Sequence, residues 1–187
     1  PIRRQGRGSR GPAAAAGAPA GRRYVARRVL ASDVQVIEAL RALSAAYAAG
    51  VDRRDASLVR SCFAPDAHLV VRGRDGARPL PERRRTGRDE IGGIATSIAR
   101  YRRTFHLVGQ SRYVLEVDAG RATGEVYCEA HHHAVDDEGI VVDRVLYIRY
   151  QDTYARADDW LITERIVAVD WAVDVPLGPL GDDPAPA

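Results

Sequence analysis

Two short segments carry the residues most able to do chemistry. Tyr47-Ala-Ala-Gly-Val-Asp52-Arg-Arg-Asp55 closes a predicted helix, and Arg103-Thr-Phe-His106 opens a predicted strand. A carboxylate on a helix end and an imidazole on a strand can meet across a pocket as an acid/base dyad. The carboxylate then sets the tautomer of the imidazole and raises its basicity. Each residue also has a plain reading. Asp52 could cap the next helix, although Asp55 is better placed for that, and a lone strand histidine is ordinarily structural. A carboxylate at a helix C-terminus is electrostatically disfavoured, so Asp52 calls for a stabilising partner.

Further candidates lie downstream. In Trp160-Leu-Ile-Thr-Glu-Arg165, alternation puts Leu161, Thr163 and Arg165 on one face. Arg165 could pair with an acid, or polarise a substrate oxygen or leaving group. His131-His132-His133 invites a metal, but only His131 and His133 share a face, too few ligands for an ordinary zinc site. No metal or cofactor is expected. The alternative is that Val126, Cys128, Ala130 and His132 face a pocket together, with Tyr127, Glu129, His131 and His133 turned away. No nucleophile elbow, P-loop or dinucleotide fingerprint occurs.

The elements that must position these residues follow from periodicity. Ser32-Asp33-Val34-Gln35 reads as a capping box opening the first helix. Val36, Leu40, Leu43 and Tyr47 share a face of it, and Gly50 is its expected stop. A second helix is predicted over 55–61, broken by Phe63-Ala-Pro-Asp66, then a strand over 67–71 and an Arg-rich loop over 72–87. A third helix is predicted over 89–101, with Ile91, Ile94, Ile98 and Tyr101 on one side; Tyr101 is a further substrate-binding candidate. Four long strands follow, over 105–117, 122–134, 140–154 and 160–172, separated by turn-like segments. Helices first and long antiparallel strands after predict an α+β fold: a curved sheet wrapped around the N-terminal helices.

Composition bounds the function. The chain has 187 residues and net charge +3, but residues 1–32 hold eight arginines and no acid, leaving −5 on the rest. The expected organisation is a disordered tail over 1–31, one domain over 32–174 and a flexible tail over 175–187. The basic tail could serve an anion-binding arm, but a solvated tail is the simpler reading, so no nucleic-acid partner is expected. There is no lysine, which excludes a lysine Schiff base. Two cysteines without a C-x-x-C pair suit a reducing cytoplasm, and no apolar run reaches the length of a membrane span.

Taken in order, Tyr47…Asp52-Arg-Arg-Asp55, Cys62-Phe-Ala-Pro-Asp66-Ala, Thr104-Phe-His106, Tyr150-Gln-Asp152-Thr-Tyr154 and Trp160-Leu-Ile-Thr-Glu-Arg165 resemble the SnoaL-like branch of the nuclear transport factor 2-like superfamily, over about 32–173. That resemblance implies a cone-shaped sheet with a deep apolar pocket. It also implies a dehydratase-, dehydrochlorinase- or cyclase-like activity. On the matching positions, Asp52 and His106 would be the catalytic dyad, Tyr47 the dehydratase-like tyrosine and Arg165 an anion-stabilising arginine. The expected function is a cofactor-independent acid/base lyase, isomerase or cyclase acting on an apolar polyketide, steroid, terpenoid or aromatic compound. Related cones pair or form trimers, so a homodimer or homotrimer is expected. The same superfamily holds non-catalytic binding modules and structural β subunits of ring-hydroxylating dioxygenases, which are the alternatives.

Overall fold

The computed structural model describes residues 30–73, 82–136 and 138–179; residues 1–29 of the expected tail over 1–31, and residues 180–187 of that over 175–187, lie outside them. The chain opens with a long helix, α1 (Ala31–Asp52), and a short one, α2 (Ala56–Ser61). Then come β1 (Phe63–Gly73), β2 (Arg83–Thr86), α3 (Arg88–Gly92), α4 (Ile94–Ser97) and a 3-10 turn over Ile98–Arg100. Four long strands finish the described chain: β3 (Arg103–Glu116), β4 (Arg121–Val135), β5 (Ile140–Arg156) and β6 (Trp160–Pro179). The six strands form one sheet in the order β2-β1-β6-β5-β4-β3, antiparallel except where β1 runs parallel to β6. The expected α+β architecture holds, with an open, curved sheet around the N-terminal helices.

Register shifts between Val108 and Ser111, Tyr147 and Ile148, and Thr153 and Tyr154 mark irregularities that bend the strands. The concave side receives α1 through Val36, Leu40, Tyr47 and Val51, spaced one helical face apart. Leu40, Val59, Phe63, Ile91 and Ile162 have no exposure. Burying each contributes roughly 1.5–3 kcal/mol, which fixes the helices on the sheet.

Several local expectations are corrected. α1 begins at Ala31, so Ser32 lies inside the first turn; the reach-back bond is made by the Asp33 carboxylate, which accepts from the Leu30 amide at 3.1 Å. α1 runs past Gly50 to Asp52. The glycine serves a close approach instead: a Cβ there would lie 2.9 Å from Val59 Cγ2. The chain turns at Arg54, at φ 57°. Asp55 caps α2 as expected, accepting from the Ser57 and Leu58 amides. β1 begins at Phe63, inside the expected breaker. The expected loop over 72–87 contains β2, paired to β1 from Val71↔Arg83 to His68↔Thr86. The single third helix is divided at Gly93. Of the expected tail over 175–187, Val175–Pro179 instead belongs to β6 and pairs with the start of β5.

Candidate active site

Asp52 is the last residue of α1, and His106 lies four residues into β3, the strand at one edge of the sheet. His106 Nδ1 lies 2.7 Å from Asp52 Oδ1, and the His106 amide donates to Asp52 Oδ2 at 2.9 Å. A carboxylate only accepts, so Nδ1 carries the proton and Nε2 is left as the basic nitrogen. Burial pushes the Asp52 carboxyl up. The His106 side-chain hydrogen bond, the charge of that ring and the His106 amide outweigh it and hold the carboxyl below its ordinary 3.8. The pair is largely enclosed, with the His106 side chain 6% and that of Asp52 20% exposed.

Arg54 answers the charge problem at the helix end. Its guanidinium donates to the Asp52 carbonyl at 2.8 Å and to the Tyr101 carbonyl at 3.0 Å. It ties the end of α1 to the segment leading into β3 and supplies a cation where the helix dipole is negative.

His106 faces a cavity of about 290 Å³ between the helices and the concave sheet. Its deeper wall is apolar and aromatic, with Tyr47, Val51, Leu69, Ile148, Tyr150 and Val169. The His132 ring crosses that of His106 at 5.7 Å and 80°, and the Tyr101 ring lies 4.8 Å from His132. Burial, with the charge of His106 adding to it, pushes His132 down to about 4, so it is neutral near pH 7. Its Nδ1 lies 3.3 Å from the Arg144 carbonyl, which can only accept; Nε2 is therefore its unprotonated nitrogen. The Tyr47 hydroxyl is pushed up to about 12, chiefly by burial, and stays a proton donor.

Of the expected site residues, Asp52 and His106 meet directly, and Tyr47, His132 and Tyr101 share the cavity wall with His106. Arg165 does not reach it. Completely buried, it forms a two-pronged ion pair with Asp152 at 2.8 and 2.6 Å and donates to Ser44 Oγ at 3.1 Å. Its guanidinium lies 4.5 Å from the Tyr47 ring centre and 4.3 Å from that of Tyr150. Burial opposes its charge, but Asp152 outweighs this and holds it protonated. Val126, Cys128 and Ala130 share the His132 face as alternation required, but they are buried core and not cavity wall. Cys128 Sγ instead accepts from the Tyr150 hydroxyl at 3.4 Å.

Sequence reasoning missed the β5 wall, although Arg144, Leu146, Ile148 and Tyr150 alternate onto one face. It also missed Arg54, for which there was no local signal. On the outer face of β4, His131 Nδ1 lies 2.6 Å from Asp143 Oδ2 and its Nε2 3.2 Å from Glu129 Oε1. Among the described residues no group of three His, Cys, Asp or Glu side chains could hold a metal. No described helix is long and apolar enough to cross a membrane.

Comparison with known proteins agrees with this architecture. A protein from Novosphingobium aromaticivorans assigned as a scytalone dehydratase superposes with a TM-score of 0.62 at 19% identity, covering 82% of this chain and 98% of that one. The hexachlorocyclohexane dehydrochlorinase LinA-type3 from Novosphingobium barchaimii gives 0.60 at 18%, covering 81% and 96%. A β subunit assigned to an aromatic-ring-hydroxylating dioxygenase, also from N. aromaticivorans, gives 0.57 at 16%, covering 73% and 91%. At these identities the likeness is one of fold. No curated protein matches the chain. The SnoaL-like domain matches residues 32–166, and the chain belongs to that family.

Proposed function

We propose that this protein is a cofactor-independent acid/base enzyme of the lyase, isomerase or cyclase type, acting on an apolar small molecule. The observation that carries this reading is the 2.7 Å contact between His106 and Asp52 beside an apolar cavity. His106 Nε2 takes a proton from an acidic C–H of the substrate, while Asp52 holds the ring in the productive tautomer and stabilises the imidazolium. The Tyr47 hydroxyl donates to the oxygen on which negative charge develops. Elimination, double-bond migration or ring closure then completes the reaction. Arg165 acts through the rings of Tyr47 and Tyr150 and does not touch substrate.

Proton abstraction can be followed without knowing the natural substrate. Apolar aryl ketones such as 1-tetralone are incubated with the protein in D2O, and exchange of the α-protons is followed by NMR. The expected result is exchange catalysed by the wild type and lowered about 10²–10⁴-fold in His106→Gln. Exchange that survives in His106→Gln, or its absence across such a panel, overturns the reading. The exposed apolar residues of the outer sheet face, Phe105, Leu107 and Trp171 among them, support self-association into the expected homodimer or homotrimer.

A further inference from the structure

The cavity has two chemically distinct ends. Among the described residues its wall contains four arginines, Arg83, Arg85, Arg100 and Arg144, and no aspartate or glutamate. β2 supplies two of them. The pairs Val71↔Arg83 and Leu69↔Arg85 set these side chains beside the apolar residues of β1 that line the same cavity. The other two come from the 3-10 turn and β5. The deep residues Tyr47, Val51, Tyr150 and Val169 are buried, whereas Arg83, Arg100 and Arg144 are exposed, so the arginines form the mouth.

These cations are not equally committed. The Arg144 fork is bound on both prongs by Asp174, at 2.7 and 2.8 Å, and is neutralised. Arg85 is held by neutral groups only: it donates to the Glu90 carbonyl at 3.0 Å and to Ser97 Oγ at 2.8 Å. The Glu90 carboxylate is turned to the Thr86 amide at 2.9 Å. Arg100 donates to the Tyr101 hydroxyl at 3.0 Å, with its guanidinium 4.8 Å from that ring centre. Among the described residues no carboxylate makes an ion pair with Arg83, Arg85 or Arg100. Arg85 keeps N–H groups beyond those it uses, so anchoring aims it without exhausting it.

Gathering like charges at one rim costs repulsion, which an anion would relieve. Solvated rim arginines would also be tolerated. That reading leaves unexplained why Arg85 is half-buried and fixed by two neutral acceptors. Guanidinium forks match carboxylate and phosphate groups geometrically, and the apolar floor strengthens the attraction by excluding water.

We infer that the substrate is an amphiphile, an apolar body with one anionic group, and that Arg83, Arg85 and Arg100 hold that group at the mouth. This rests on reading the cavity as the substrate site. It fixes the substrate's direction: Tyr101 and His132 stand in sequence between Arg100 and His106. The acidic group therefore sits two rings along the wall from the base, and the reacting carbon belongs to the buried end.

The test uses three probes on one two-ring body: 2-naphthoate, 2-naphthyl phosphate and the neutral 2-naphthylmethanol. Each is titrated calorimetrically into the full chain at low and high salt. The wild type is expected to bind at least one anion about tenfold or more tighter than the alcohol, with the preference fading in salt. Whichever anion binds tighter identifies the acidic group. In Arg83→Gln/Arg85→Gln/Arg100→Gln, checked for folding by circular dichroism, the three probes are expected to bind alike. An alcohol that binds as tightly as both anions overturns the inference. So does binding of none of the three, or an anion preference that survives the triple substitution, as it would if the arginine-rich N-terminal segment were responsible. His106→Gln separates this from the proposed reaction. An intact anion preference with tetralone exchange unaffected by His106→Gln sinks the proposed chemistry alone; His106-dependent exchange with no anion preference sinks this inference alone.

Discussion

If Asp52 and His106 act as one unit, as proposed, their substitutions should show it. Asp52→Asn and His106→Gln should each lower turnover about 10²–10⁴-fold, and the double variant should fall little further. Fully multiplicative losses in single-turnover kinetics would mean that the two residues do not share a step. His132 makes a separable prediction. Its folded pKa of about 4 lies below its ordinary 6.5, so the unfolded chain binds more protons between those values. Stability is therefore lost as pH falls through that window, by on the order of 3 kcal/mol at most. His131 works in the opposite sense. Its pKa is raised, mainly by the hydrogen bond to Asp143, so its contribution is present below 6.5 and lost as pH rises through the folded value. Urea denaturation at pH 4.5 and 7 checks this: His132→Gln should flatten the difference, and an unchanged slope would refute it. At this scale the dyad was legible because an Asp at a helix end and a Thr-Phe-His strand start are both local patterns. The misplacement of Arg165 was equally local in origin. Alternation showed which face it occupies, but not that Asp152, Ser44 and the Tyr47 and Tyr150 rings would enclose it.

At the scale of elements, the join between α1 and α2 holds the carboxylate in place. Gly50→Ala would drive a methyl to 2.9 Å from Val59 Cγ2 and 3.0 Å from the Val59 amide nitrogen. It should cost about 1–3 kcal/mol in a denaturant titration, as α2 is pushed from its seat. Arg54→Gly should do the reverse of what its stability suggests. It relieves a non-glycine residue at φ 57°, yet removes the tie between the Asp52 and Tyr101 carbonyls. Stability near the wild type with a reduced turnover is the expected outcome; unchanged turnover would show that the tie positions nothing. Beneath the cavity, Arg165→Met should cost about 3–5 kcal/mol by stranding Asp152, and Arg165→Met/Asp152→Asn should recover much of that. β2 and the end of β6 escaped sequence reading for one physical reason. Arg83-Arg84-Arg85-Thr86 lacks apolar residues and Val175-Pro-Leu-Gly-Pro179 is broken by proline and glycine, so neither reads locally as a strand; both are strands because β1 and β5 present backbone partners to them.

For the whole molecule, the order helices-then-strands was enough to read a curved sheet wrapped around the helices, because long amphipathic strands have few other ways to bury one face; the cone was implied by the family resemblance. The outer face was less legible, since exposure depends on which side the helices choose. There Tyr147 and Trp171 stack at 4.5 Å and 19°, with Phe105 and Leu107 more than half exposed. If self-association uses this face, Trp171→Asp should shift sedimentation velocity from an oligomer to a monomer. A wild type that is itself monomeric would refute it.

The dyad joins residues 54 positions apart in the chain, and one of them rides on β3, which among the described residues has a strand neighbour on one side only, β4. A boundary strand can loosen while the central strands stay paired. Activity should therefore be a more fragile property than the fold. On heating or in denaturant, turnover should vanish before the far-ultraviolet signal of the sheet declines, and the loss should reverse on cooling or dilution. The protein would then carry a built-in thermal cutoff, set by the fraying of one strand and not by the melting of the molecule.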